Sequence, residues 1–353
     1  MYKIIILMLL SISSNVVASE KNTLEELTAS LEKARIDNNI PSLAVAIISS
    51  GEVTYIKGFG FLDEIKTKPT SEDTLFRIAS ISKLFTAQAI MLLAQDDKLK
   101  LNDKAGKYLP ELTKSNITIM QLLTHSSGLS DIIRPVSFEE KRTISSYLDL
   151  VSESASKHSE EQAFEYSDTN FNILGAIISA ASGQEYEKFI HDNILKPAQM
   201  KKSNYSLGGN EYFAEASPTY KGKLIDKTDQ RPYDVSFNPS EGLVSNVRDL
   251  SHWLKLTLAR DASILEEQTY NEMLEPQIKT SWGEIYMALG WQVYKTEHGK
   301  VARHPGSIRG YKSLVLTYPE SKNAMILLTN SSNTPRWEIA KSITEILRRN
   351  SEW

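Results

Sequence analysis

The chain has 353 residues, 41% of them hydrophobic, and a formal charge of −4 at pH 7. That length and apolar content support one large domain, or two closely packed ones, with a sizeable core, and exclude disorder over most of the chain. Mild acidity without a basic stripe among aromatic residues argues against a nucleic-acid partner, and the lack of cysteine excludes disulfides, thiol chemistry and a lipidated N-terminal cysteine.

The first stretch, MYKIIILMLLSISSNVVA (residues 1–18), has an early charge at Lys3, an apolar run from Ile4 to Leu10, and Val16 and Ala18 spaced for signal-peptidase cleavage. It predicts a secretory signal removed after Ala18 and an exported, periplasmic protein. The run is too short to span a bilayer comfortably, so no stable membrane span is expected in the mature chain, 19–353. Next, Thr23 as cap, Glu26 at the capping-box position, and Leu24, Leu27, Leu31 and Ala34 on one face predict a helix that ends before Pro41. LAVAIIS and VTYIKGFG, separated by Ser50-Gly51-Glu52, read as two antiparallel strands.

The middle of the chain, about 80–258, is mostly helical by pattern. Segments Lys83 to Gln95, Thr118 to Leu123, Ser145 to Ser152, Thr169 to Ser182, Tyr186 to Ile194 and Asn246 to Leu258 carry it, the last opened by an Asn246/Asp249 capping box. The stretch from Lys201 to Pro239 has little periodicity and reads as a loop that wraps the surface and lines a pocket. At the far end GWQVYK, GYKSLVLTYP and NAMILLTN are strand candidates. A final helix follows, with Thr334 as cap, Pro335 at the first helical position, and Ile339, Ile343, Ile346 and Leu347 on one face. Strands flanked by a helix at both ends predict an α+β fold: one antiparallel sheet drawn from 19–79 and 259–353, covered by the terminal helices, with the helical region 80–258 inserted.

The chemistry centres on TLFRIASISKLFTAQAIMLL. Ser80 and Lys83 stand three residues apart at the start of an apolar helix and therefore on one side of it. A serine hydroxyl is a poor nucleophile until a neighbour takes its proton, and a partly desolvated lysine can help. A capping serine beside a snorkelling lysine gives the same spacing without chemistry.

The surroundings of that pair decide between the two readings. FRIASISK, LLTHSSGL, YSDTNFNILG, GLVSNVRDL and HPGSIRG together resemble the penicillin-recognising serine hydrolases: class C beta-lactamases, DD-carboxypeptidases, D-aminopeptidases and esterases of a beta-lactamase/transpeptidase-like fold. The resemblance runs over nearly the whole mature chain. It implies that Ser80 is the nucleophile, Lys83 its activating partner, and Tyr166 the residue that shuttles the proton. It further implies that His304 is the basic residue facing the tyrosine, that Gly306 lets a substrate lie against the strand, and that the N–H groups of Ser80 and Ser307 form the oxyanion hole. His125 belongs, in the resemblance, to a structural element beside the site.

Two positions depart from the family pattern. Asp168 replaces an asparagine, so a donor to a substrate carbonyl becomes an acceptor only; it can also serve as cap of the helix that follows. Pro305 replaces a threonine and supplies neither hydroxyl nor N–H, with Arg309 placed to restore positive charge. Both changes lean away from efficient beta-lactam turnover.

The remaining histidines, His158, His191, His252 and His298, form no short-spaced ligand set, and neither H-E-x-x-H nor a nucleotide-binding glycine loop occurs, so no metal or cofactor is expected. The resulting expectation is a serine hydrolase forming an acyl-enzyme with a small ester, a D-amino-acid peptide or a beta-lactam. The alternative is a non-catalytic binder of a peptide or cell-wall fragment on the same fold.

Overall fold

In the computed structural model the described residues are 22–62, 66–132, 142–155, 163–205, 215–226, 235–350 and 353; the signal-like segment 1–18 and His158 lie outside them. The main sheet has eight strands: β1 (Ser42–Ser49), β2 (Glu52–Gly60), β3 (Ile278–Lys279), β4 (Tyr286–Met287), β5 (Gln292–Thr296), β6 (Gly299–Ile308), β7 (Tyr311–Tyr318) and β8 (Asn323–Thr329). Their order is β2-β1-β8-β7-β6-β5-β4-β3, and neighbours run antiparallel. Both ends of the chain thus share one sheet, because β1 pairs with β8.

Strand β1 is apolar from Leu43 to Ile48 because it is buried on both faces. Leu43, Val45 and Ile47 enter one core and Ala44, Ala46 and Ile48 the other. The first core is closed by α1 (22–37) and by α5 (Arg336–Arg349), which bring Leu27, Leu31, Ile339, Ile343 and Leu347 onto the sheet. The second holds the inserted helices, among them α2 (Ser82–Gln95), α3 (Asp168–Ser182) and α4 (Val247–Ala259). Helix α2 runs through its middle, with Phe85 stacked on Trp253 of α4 at 4.6 Å and Gln88 accepting the Trp253 indole N–H at 2.8 Å. A helix buried nearly all round is apolar all round, which leaves a polar group on it in need of a partner.

Three local expectations need correction. Helix α1 already includes residue 22, so Thr23 lies within its first turn rather than before it. Helix α5 is preceded by Pro335, not Thr334; the Thr334 hydroxyl instead bonds Thr329 at 2.8 Å and the Ser331 carbonyl at 2.9 Å, closing the turn one residue early. Asn246 caps α4 by accepting the Asp249 N–H at 2.8 Å, but the Asp249 carboxylate does not return the bond. It accepts the N–H groups of Lys202 and Ser203, at 2.9 and 2.8 Å, and ties the aperiodic stretch after Lys201 to the helix. Asn204–Tyr205 then pairs with Leu243–Ser245, while 206–214 and 227–234 are outside the described residues. Among the described residues no helix is long and apolar enough to cross a membrane.

Candidate active site

The turn that leads into α2, the start of α3 and the end of β6 meet at one place. The short strand Phe76–Arg77 pairs with Leu243–Ser245 and delivers the chain into a 3₁₀ turn, Ala79–Ile81, one residue before α2 begins at Ser82. Ala79 has φ of +51°, an uncommon conformation for a residue with a Cβ, so the turn holds Ser80 at a cost in backbone strain. Ser82 fixes that turn: its hydroxyl donates to the Ala79 carbonyl at 2.7 Å and accepts the Leu243 N–H at 3.0 Å. Ser80 is left partly exposed, whereas Lys83 is fully buried.

Lys83 Nζ lies 3.3 Å from Ser80 Oγ, 2.5 Å from Asp168 Oδ1 and 3.0 Å from the Ser240 carbonyl. It also sits 5.1 Å from the centre of the Tyr166 ring, close enough for the ammonium to act on the phenol. The structure therefore brings Ser80, Lys83, Tyr166 and Asp168 into one cluster.

Burial alone would push the Lys83 ammonium down, but Asp168 and Tyr166 outweigh it and hold its pKa above the ordinary lysine value. Burial likewise raises the Tyr166 phenol, with Lys83 pulling it back and Asp168 pushing it up. The cluster thus rests as ammonium and phenol beside a carboxylate, and a proton would have to leave the pair before either group could serve as a base toward the Ser80 hydroxyl.

Asp168 does not cap α3. It occupies the first helical position after Ser167, whose side chain makes no cap bond. The capping carboxylate is Asp131, whose Oδ1 accepts the N–H of Asp168 at 2.5 Å, that of Thr169 at 3.3 Å and the Ser167 hydroxyl at 2.8 Å. With the helix end satisfied from outside, Asp168 is free to meet the buried ammonium.

His125 holds Tyr166 from both sides. Its carbonyl accepts the Glu165 N–H at 2.8 Å, its Nδ1 accepts the Ser167 N–H at 3.2 Å, and its ring stacks on Tyr166 at 4.3 Å. Burial, then the nearby Lys83 charge, keep His125 neutral.

His304 differs from its expected basic role. It is completely buried and donates Nδ1–H to the Pro305 carbonyl at 2.9 Å; burial first, then Lys83, push its pKa down to about 3. It stands 6.5 Å from the Tyr166 ring as a neutral imidazole and brings no cation. Gly306 is required by packing, since a Cβ there would overlap the Ser313 hydroxyl and the Ile78 carbonyl, so β6 lies directly against the turn that carries Ser80.

Along β6 only residues 299–303 pair with β5, so among the described residues the edge from His304 to Ile308 has no strand partner on that side, a place that tolerates Pro305. Ser307 and Arg309 are exposed and line a polar pocket with Asp168, Glu241 and Lys312, and the Lys312 ammonium donates to the Ser307 hydroxyl.

Several contributors were not foreseen from sequence. Asp131 and the Ser240 carbonyl lie far from their targets along the chain and give no local pattern. Arg336, at the start of α5, donates to the Gly306 carbonyl at 2.5 Å and so pins the strand segment carrying Ser307; burial, then Arg303, push its guanidinium down to about 10. Its one sequence signal is its place just after Thr334-Pro335.

Residues 23–345 match the family model described as Beta-lactamase. Protein flp of Staphylococcus aureus strain MRSA252 is 29% identical over 303 residues, covering 83% of this chain and 60% of flp, so the chain spans about 60% of that relative's length. Penicillin-binding protein 4* of Bacillus subtilis strain 168 is 27% identical over 328 residues, covering 86% of this chain and 71% of that protein. The octameric penicillin-binding protein homologue from Pyrococcus abyssi superposes with a TM-score of 0.79 at 28% identity, over 92% of this chain and 76% of that one.

Proposed function

Because this chain belongs to the beta-lactamase family of penicillin-recognising serine hydrolases, we propose that it is itself a serine hydrolase working through an acyl-enzyme on Ser80. The observation that carries the reading is a partly exposed hydroxyl 3.3 Å from a wholly buried lysine that also sits 5.1 Å from the centre of the Tyr166 ring. In the fraction of molecules whose Lys83–Tyr166 pair has given up a proton, Ser80 Oγ attacks the substrate carbonyl while its own proton passes to that pair. The N–H groups of Ser80 and Ser307 hold the oxyanion. As the carbonyl re-forms, the bond to the leaving group breaks and Tyr166 protonates the departing atom. Water then releases the acyl group by the reverse proton path.

Small esters suit the site better than amides. The Asp168 carboxylate accepts from Lys83 and has no N–H for a substrate carbonyl, and Pro305 has no hydroxyl. A D-amino-acid peptide or a beta-lactam needs those contacts more than an activated ester does. The tight Lys83–Asp168 pair also favours a second reading, in which the pocket holds a peptide or wall fragment without turnover.

A fluorophosphonate probe separates the two. The adduct is expected on the peptide containing Ser80 and is expected to vanish in Ser80→Ala; a folded protein that takes up no probe at Ser80 supports the binding role. The segment 1–18 extends the proposal to export into the periplasm. N-terminal sequencing of protein from the producing cell is expected to start at Ser19, and a chain retaining Met1 would count against export.

A further inference from the structure

An aromatic surface stands on the Tyr166 side of the site and takes no part in the chemistry described so far. Trp282 sits in the short turn between β3 and β4, and 41% of it is exposed. The turn is firmly built. Thr280 donates both its N–H and its hydroxyl to the Ile285 carbonyl at 2.9 and 2.8 Å, the Trp282 N–H returns to the Thr280 hydroxyl at 3.1 Å, and Lys279 pairs with Glu284 at 2.6 Å.

The indole meets Phe164 edge-on at 4.8 Å and leans on Tyr166 at 5.8 Å, and Phe164 in turn meets His125 at 6.3 Å. An indole held this way keeps a large part of its surface in water, beside a tyrosine ring whose centre is 5.1 Å from the Lys83 ammonium that bonds Ser80. Exposed apolar surface fixed next to a reacting group is what a ligand covers. The other lining of the site is polar apart from Ile308, with Asp168, Ser307, Arg309 and Lys312 among its residues, and it offers such a ligand no aromatic face.

We propose that Trp282 and Phe164 form a platform for the leaving group, so that the site selects carbonyl substrates whose departing alcohol is aromatic. The proposal rests on the hydrolase reading above, in which Tyr166 protonates the departing oxygen and therefore lies beside it. In that step the bond from the acyl carbon to the alcohol oxygen breaks with its electron pair on oxygen, and the Tyr166 proton moves to it. An aryl group on that oxygen then lies within reach of the indole. Offset or edge-to-face contact with two rings, together with burial of the aryl surface, is worth about tenfold in kcat/KM.

The test compares two acetates with the same acyl group and similarly acidic leaving alcohols, phenyl acetate and hexafluoroisopropyl acetate. Trp282→Ala is expected to lower kcat/KM about tenfold for the phenyl ester and less than about twofold for the aliphatic one, and Trp282→Phe to restore most of the loss. Equal losses on both esters, or none, would overturn the platform.

If the wild type hydrolyses neither ester in a Ser80-dependent way, the hydrolase reading falls on its own. The platform is then read by calorimetric binding of p-nitrophenol to Ser80→Ala. Weakening of about tenfold on adding Trp282→Ala upholds an aromatic-binding surface; unchanged binding removes it.

Discussion

Lys83→Met is expected to lower kcat/KM for p-nitrophenyl acetate by about a thousandfold, the range for loss of a positioned acid–base group. Methionine keeps the length and apolar stem of lysine in a position that is fully buried on α2, so packing changes little. What it removes is the ammonium that contacts Ser80, Asp168 and the Ser240 carbonyl.

The same change leaves the Asp168 carboxylate without its cation. Because the Asp168 side chain is 23% exposed, water can reach it, and the stability cost is about 2 kcal/mol rather than the larger penalty of a sealed charge. The double variant Lys83→Met/Asp168→Asn is expected to regain most of that stability in urea denaturation and none of the activity. Activity in Lys83→Met near the wild-type level would end the assignment of Lys83 as Ser80's partner; stability and activity recovering together would mean that only the fold had been disturbed.

The sheet was legible because its strands are either apolar on both faces, as in β1, or bounded by clear turns. The pairing of chain ends through β1 and β8 followed from matching strand-and-helix sets at the two ends. Strand β6 was less legible by pattern, since Arg303, His304, Pro305 and Gly306 break any alternation, and it was found through the family motif it carries. β3 and β4, two residues each, are too short to leave a periodic signal.

Within the site, the local signal at Asp168 admitted a cap, and local reasoning had no means of knowing that Asp131 would supply one from 37 residues away. A buried ammonium makes a stronger demand on a carboxylate than a helix end does. His304 misled for a related reason, because the motif position implies a base, while complete burial next to Lys83 makes a charged imidazole too costly. Trp282 shows its role only in space, since nothing in TSWGE distinguishes a platform from a turn.

Asp168→Asn tests the proton arrangement directly. The groups facing Lys83 are the Asp168 carboxylate, the Tyr166 phenol and two histidines, His125 and His304, both kept neutral first by burial and then by the Lys83 charge. No histidine of the site therefore changes charge near neutral pH, and the rising limb of kcat/KM belongs to the coupled Lys83–Tyr166 pair. Asp168 holds Lys83 above the ordinary value of 10.5, so the free base is scarce at neutral pH and wild-type activity is expected to climb into the alkaline range. Asparagine keeps an acceptor for Nζ but removes the charge. Burial then pulls Lys83 down, and the limb is expected to move to lower pH.

The stability sign is separate. A raised folded pKa contributes stability that is complete below 10.5 and is lost only as pH rises through the folded value, so the variant loses that contribution throughout the neutral range. The asparagine amide also offers the N–H that Asp168 lacks. Nitrocefin turnover is expected to rise about tenfold relative to p-nitrophenyl acetate turnover, the worth of one hydrogen bond to a substrate carbonyl. The measurement is the pH profile of kcat/KM for both substrates in wild type and Asp168→Asn. A limb that stays in place would show that Asp168 does not set the Lys83 charge, and an unchanged substrate ratio would show that Pro305, not Asp168, limits amide turnover.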